Sequence, residues 1–290
     1  SVSIDGDTLA VSAIGEDSVT RAIINGTTAG DDDNSSNSGA VYVYKRTGQT
    51  WAQEAYIKAA NSDNDSNFGF SVSLDGNTIV VGAPYEDSNQ ATITNGTSAL
   101  DNNSNSNSGA VYVYKRTGSN WAQEAYIKAS NNDAGDLFGY SVSIDNDTIV
   151  VGAYLEASDQ RTITNGTTAA STNDDLAGTG AVYVYKRTGS NWAQEAYIKA
   201  SNNDAGDLFG YSVSIDNDTI VVGAYLEASD QRTITNGTTA ASTNDDLAGT
   251  GAVYVYKRSG TSWAQEAYIK AANSDSSDLF GTSVSIDVDT

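Results

Sequence analysis

Short segments of alternating apolar and polar residues recur along the chain, separated by long polar stretches. One period, residues 138–200, shows the pattern. FGYSVSID (138–145) alternates with period two and ends at Asp145-Asn146-Asp147; the counterpart of that turn, Asp75-Gly76, is a strong hairpin dipeptide. DTIVVGAY (147–154) follows as a β-branched run. After a long polar segment, GAVYVYKR (180–187) puts Ala181, Tyr183 and Tyr185 on one face and Val182 and Val184 on the other, so both faces are apolar. The turn Thr188-Gly189 leads into NWAQEAYIKA (191–200), where strict alternation places Trp192, Gln194, Ala196 and Ile198 on one face. The reading is all-β: four antiparallel strands per period, with central strands buried on both faces, as stacked sheets require.

The four tryptophans, Trp51, Trp121, Trp192 and Trp263, stand 70, 71 and 71 residues apart, and each opens the phrase WAQEAYIKA. Residues 121–191 and 192–262 differ only at Thr188/Ser259, Ser190/Thr261 and Asn191/Ser262. The chain therefore reads as one repeat array with units of approximately 1–70, 71–140, 141–211 and 212–282. Residues 283–290 begin a further unit, repeating residues 1–8 with one change. That overlap is expected of a window cut from a longer array, or of a surplus strand that pairs with the next molecule.

The longest polar stretch, Tyr154 to Thr179 in the third unit, is longer than most connections in compact domains. Arg161-Thr162-Ile163-Thr164 and Thr167-Thr168-Ala169 flank Asn165-Gly166, the dipeptide that best supports a type I′ turn. A small protruding hairpin is expected in every unit, at Asn25, Asn95, Asn165 and Asn236, with edges suited to docking on a neighbour. These positions also read Asn-Gly-Thr, an N-glycosylation sequon, and Asn146 and Asn217 fit the same pattern.

Composition narrows the function. Fifteen Lys+Arg against 37 Asp+Glu leave a formal charge of −22, which excludes a basic nucleic-acid binder. With no His and no Cys, the chain cannot build an imidazole triad, a thiol nucleophile or an ordinary zinc site. Asp174 and Asp175 are a carboxylate pair, but adjacent residues in a polar loop lack the asymmetry an acid–base pair requires. An enzyme is not expected. No apolar run is long enough to span a membrane, and a strongly acidic, sulfur-free chain suits the cell surface or extracellular space.

Phe138-Gly139 before one strand and Gly82-Ala83-Pro84 after another, with SGAVYVYKR and a Trp strand behind them, resemble the FG-GAP repeat, the blade unit of integrin-type β-propellers, in its bacterial variant. The resemblance implies a β-propeller or propeller-like array of four-stranded blades. Only one unit keeps Pro84, and the unit is longer than family blades usually are. The resemblance also implies calcium, bound through Asp/Asn-rich loops. Candidate ligands precede each Phe-Gly: Asp63 and Asp65, Asp133 and Asp136, Asp204 and Asp207, Asp275 and Asp278. The usual Asp-x-Asp-x-Asp-Gly loop is absent; Glu156 with Asp174 and Asp175 forms a second acidic group. Trp51, Trp121, Trp192, Trp263, Phe68, Phe138, Phe209 and Phe280 are expected in the core between blades, with Tyr112 and Tyr114, while Gly139 and Gly152 allow close backbone approach. The expected function is a structural, adhesive repeat segment of an extracellular surface protein or filament that assembles with itself or with neighbouring repeats. The alternative is a lectin-like or integrin-like propeller that takes surface glycans.

Overall fold

The computed structural model describes residues 1–167, 173–238 and 244–287. Among these there is no helix, and every strand belongs to one of four five-stranded antiparallel sheets, one per repeat. The first repeat supplies β1 (Val2–Asp5), β2 (Thr8–Ala13), β3 (Ile23–Asn25), β4 (Ala40–Thr47) and β5 (Thr50–Ile57). The second supplies β6 (Ser71–Asp75), β7 (Thr78–Ala83), β8 (Ile93–Asn95), β9 (Ala110–Thr117) and β10 (Asn120–Ile127). In the third these become β11 (Ser141–Asp145), β12 (Thr148–Ala153), β13 (Ile163–Asn165), β14 (Ala181–Thr188) and β15 (Asn191–Ile198). The fourth has β16 (Ser212–Asp216), β17 (Thr219–Ala224), β18 (Thr235–Asn236), β19 (Ala252–Ser259) and β20 (Ser262–Ile269). The first sheet is ordered β1-β2-β4-β5-β3, and the others repeat that order.

The fifth strand corrects the expectation of four strands per unit. β3 comes from the insertion and does not close a hairpin on itself at Asn25-Gly26. It pairs with β5, Ile23 opposite Ile57 and Asn25 opposite Ala55, and the Gly26 N–H donates to the Glu54 carbonyl at 2.7 Å. An uncovered β5 would leave a row of unpaired backbone groups, and the insertion satisfies them. β8, β13 and β18 repeat the arrangement. Thr168 and Ala169, the expected return arm, lie outside the described residues.

The residues divide into two compact units, 1–146 with 187–192, and 147–186 with 193–290. In the first, Val41 and Val43 of β4 meet Ala110, Tyr112 and Tyr114 of β9, with Phe68 edge-on to both tyrosines. In the second, Val182 and Val184 meet Ala252, Tyr254 and Tyr256 around Phe209. The doubly apolar strand is thus explained: the valine face of one sheet packs on the tyrosine face of the next.

The Trp strand departs from strict alternation. Register shifts on β5, β10 and β20 insert one extra residue at the Glu of WAQEAYI. The bulge sends Trp121 to the tyrosine face, while Ala55 and Ile57, like Ala196 and Ile198, lie on the valine face. Trp and the Ala/Ile pair therefore look toward opposite neighbours, not the same one.

The family glycines mark a close approach between repeats. A Cβ on Gly82 would sit 2.0 Å from the Gly139 carbonyl oxygen, and one on Gly223 at the same distance from that of Gly281. The Ser71 hydroxyl donates to the Gly139 carbonyl at 2.8 Å.

Candidate functional site

The chemistry-bearing side chains converge at the junction between successive repeats. Asn25, at the end of β3, grips the backbone of Trp121 at two points: the Trp121 N–H donates to Asn25 Oδ1 at 2.7 Å, and Asn25 Nδ2 donates to the Trp121 carbonyl at 3.3 Å. Asn95 holds Trp192 at 2.7 and 3.2 Å, and Asn165 holds Trp263 at 2.8 and 3.3 Å. The second element is the bulged glutamate. Glu54 Oε2 accepts from Trp121 Nε1 and from Arg116 Nη1, both at 3.0 Å, and the Arg116 guanidinium stacks 5.3 Å from the indole centroid. Glu124 with Arg187 and Trp192, and Glu195 with Arg258 and Trp263, repeat the triad. A desolvated indole capped by a cation and fixed through its N–H is worth more than its buried area alone.

A buried peg completes the junction. Asn61 donates to Glu86 at 2.8 Å and accepts from the Tyr112 hydroxyl at 2.6 Å; Asn202, Glu227 and Tyr254 repeat the contact in the second unit. Glu86 is itself buried against Lys128 at 2.6 Å, with Tyr126 and Ser88 also bonded to it. Burial raises the Tyr126 hydroxyl above its ordinary range and lowers the Lys128 ammonium, against the opposing pull of Glu86.

Asn25, Asn95 and Asn165 are therefore junction residues. A sugar on Nδ2 of Asn25, Asn95 or Asn165 would have to share that nitrogen with a tryptophan carbonyl. We expect Asn25→Ala to cost about 1–2 kcal/mol, two net hydrogen bonds, and Asn25→Asp about half of that. Amide exchange at Trp121 reads it directly; unchanged protection in the alanine variant would refute the clamp.

Three of the four acidic loops are closed locally. The Asp133 and Asp204 N–H groups donate to Asp136 and Asp207 at 3.3 and 3.1 Å, and the Asp275 N–H donates to Asp278 at 2.8 Å. Arg21, Arg161 and Arg232 pair with Asp63, Asp204 and Asp275, and Asn37 Nδ2 donates to Asp65 at 2.9 Å. Calcium takes six to eight oxygens, yet no group of three or more carboxylates among the described residues is placed to hold a metal. Glu156 pairs instead with buried Lys199, and Asp174 and Asp175 are exposed.

Asp207 carries a different consequence. Burial, with repulsion from Glu227, Asp204 and Asp245 added, pushes its carboxyl up from 3.8 to about 8. A carboxyl that holds its proton more tightly when folded stabilises the fold at acid pH, and that contribution is lost as pH rises from 3.8 through about 8. The second unit should resist urea better near pH 5 than near pH 8. Asp207→Asn should flatten the difference, and an undiminished pH dependence in that variant would refute the assignment.

The aromatic positions separate into two groups. Trp121, Trp192, Trp263, Phe68, Phe138 and Phe209 are buried, whereas Phe280 is half-buried and Trp51 is 39% exposed. Two cavities flank the clamp at equivalent positions. One, of about 240 Å³, is lined by Arg21, Asn25, Tyr114, Trp121 and Gln123; the other, of about 290 Å³, by Arg161, Asn165, Tyr256, Trp263 and Gln265. Sequence reasoning missed the Asn–Trp clamp and the Glu–Arg–Trp triad. The signal was present, since Asn, Glu, Arg and Trp recur at fixed offsets in every unit, but only the bulge and the fifth strand bring them together.

The FG-GAP repeat family matches residues 51–114, 121–185 and 192–256, and the chain belongs to it. Each matched stretch opens at a tryptophan and ends in the third long strand of the following sheet, so the family's own repeat contains a junction. FG-GAP repeats are a non-enzymatic repeat type and generally serve as extracellular modules of adhesion and ligand binding. A search of curated proteins found no match. No helix among the described residues is long and apolar enough to cross a membrane.

Proposed function

We propose that this chain is a structural and adhesive repeat segment of an extracellular surface protein or filament, its sheets acting as the blades of a propeller or propeller-derived array. One observation carries the reading: an asparagine and a tryptophan repeated in every unit are engaged at the junctions, where one repeat holds the next. Stability then grows with neighbours, as in other repeat arrays, and the same edges are presented periodically. Electron microscopy of the native material tests this. Continuous fibres or a surface layer with a repeating spacing are expected, and isolated closed discs would count against it.

A ligand-binding propeller is the second reading, favoured by the two equivalent cavities beside Trp121 and Trp263. Both tryptophans are almost wholly buried, which leaves little ring face for a sugar to stack on. Calorimetry against a glycan panel separates the readings: saturable heats abolished by Gln123→Ala and Gln265→Ala would favour the second.

A further inference from the structure

The two cavities beside the clamp differ in how their polar walls are satisfied. In the first unit Gln123 Nε2 donates to the Gly96 and Ser98 carbonyls, both at 3.2 Å, and the Tyr114 hydroxyl donates to the Lys58 carbonyl at 3.4 Å. In the second unit the equivalent groups have no partner. Gln265 and Tyr256 are 6% and 1% exposed and line the cavity of about 290 Å³, yet Gln265 Nε2 and the Tyr256 hydroxyl make no hydrogen bond. Buried polar groups left this way are rare in folded proteins. One substitution accounts for the glutamine. Ser201 stands where the first unit has Ala60, and its hydroxyl donates to Gln265 Oε1 at 3.0 Å, which holds the amide in a pose where Nε2 meets no protein acceptor.

Both unpaired groups are donors. An amide nitrogen has only N–H to offer, and burial raises the Tyr256 phenol above its ordinary range, so the phenol keeps its proton. What fills the cavity must therefore bring acceptor oxygen. A charged acceptor gains little there: the two cations of the wall, Arg161 and Lys199, are already paired with Asp204 and Glu156, and the chain as a whole carries −22. A neutral oxygen suits the site, and Ile163, Ala264 and Trp263 offer apolar surface to the group beside it. The volume lies at the small end of ligand sites, which run from about 300 to 1,000 Å³, so it encloses a single substituent and not a chain. An acetamido group meets each condition, with one carbonyl oxygen that carries two lone pairs, no charge and one methyl.

We propose, resting on the reading of this chain as a ligand-binding propeller, that the cavity of the second unit takes an N-acetylated sugar by its acetamido group. Gln265 Nε2 and the Tyr256 hydroxyl both donate to the acetamido oxygen, and the methyl lies against Ile163 and Ala264. The sugar ring stays at the mouth, where Arg161, Thr162 and Thr238 are exposed. Those hydroxyls and that guanidinium are partners for ring hydroxyls, whereas the methylene stem of an acetylated lysine would leave them unused. Recognition through the acetamido group needs no exposed ring face, so the burial of Trp263 is no obstacle.

The test is isothermal titration calorimetry of the 290-residue chain with methyl N-acetylglucosaminide, and with methyl glucoside and Nε-acetyl-lysine as comparisons. The N-acetyl glycoside should bind saturably, at least about tenfold more tightly than either comparison. Tyr256→Phe and Gln265→Leu should each remove one equivalent of bound glycoside. The first of these takes away a hydroxyl that has no protein partner, so the fold is untouched, and unchanged circular dichroism verifies the second. Ser201→Ala frees the Gln265 amide to turn toward backbone carbonyls as Gln123 does, and should weaken binding by about tenfold or more. Full binding by both Tyr256→Phe and Gln265→Leu, equal binding of the two glycosides, tighter binding of acetyl-lysine, or no saturable heat would overturn the proposal. A null for the N-acetyl glycoside beside saturable heats from another glycan would leave the ligand-binding reading in place, so the two fail separately.

Discussion

Lys128→Met is expected to weaken the first unit by about 3–5 kcal/mol, the cost of breaking a buried ion pair by removing one partner. The Lys128 side chain is fully buried and that of Glu86 nearly so. With the ammonium gone, Glu86 keeps Asn61, Tyr126 and Ser88 as donors, all neutral, and its charge is uncompensated in a medium that solvates it poorly. The urea midpoint should fall by roughly 1–3 M. Lys128→Met combined with Glu86→Gln should recover much of the loss, because the remaining amide is neutral. The exposed pair of Arg21 with Asp101 gives the contrast: Asp101→Asn should cost less than about 1 kcal/mol. A Lys128→Met midpoint within a few tenths of a molar of the parent would show that the pair contributes little to the junction.

The second large effect is a difference between two residues in the same local sequence. Trp121→Ala should cost about 3–5 kcal/mol, through lost burial and the cavity left behind. It also removes the indole N–H that donates to Glu54 and the ring on which Arg116 stacks. Trp51→Ala in this 290-residue chain should cost less than about 1 kcal/mol, since that ring is already partly in water. Equal losses for the two variants would mean that the phrase WAQEAYIKA stabilises each repeat internally and that the junction contributes nothing to the difference.

The strands were legible because their signals are local. Period-two alternation in SVSID, the β-branched run TIVVGA and the glycine turns each fix a strand within a few residues, and the two apolar faces of AVYVYKR announced stacked sheets. The insertion was read in part. Asn25-Gly26 does mark the point where the chain leaves a strand, but the hairpin signal describes a local preference, and in the first repeat the unpaired edge of β5 outcompetes a return arm. The face of the tryptophan strand was misread for a related reason. A bulge changes the parity of every residue beyond it, and nothing in WAQEAYI declares one.

The sequence by itself determined an all-β chain of four similar acidic units, two of them near-identical, without the imidazoles and thiols on which much enzyme chemistry depends, in the FG-GAP family. Those properties follow from composition, periodicity and repetition, which are additive along a chain. Tertiary structure alone decided that each sheet has five strands, that Asn25, Asn95 and Asn165 hold tryptophan backbones, that the glutamate crosses to the next repeat, and that paired aspartates close their own loops. The asparagine and glutamate contacts depend on partners 96 and 67 residues away, and whether a polar side chain meets such a partner or water is fixed only when the sheets pack.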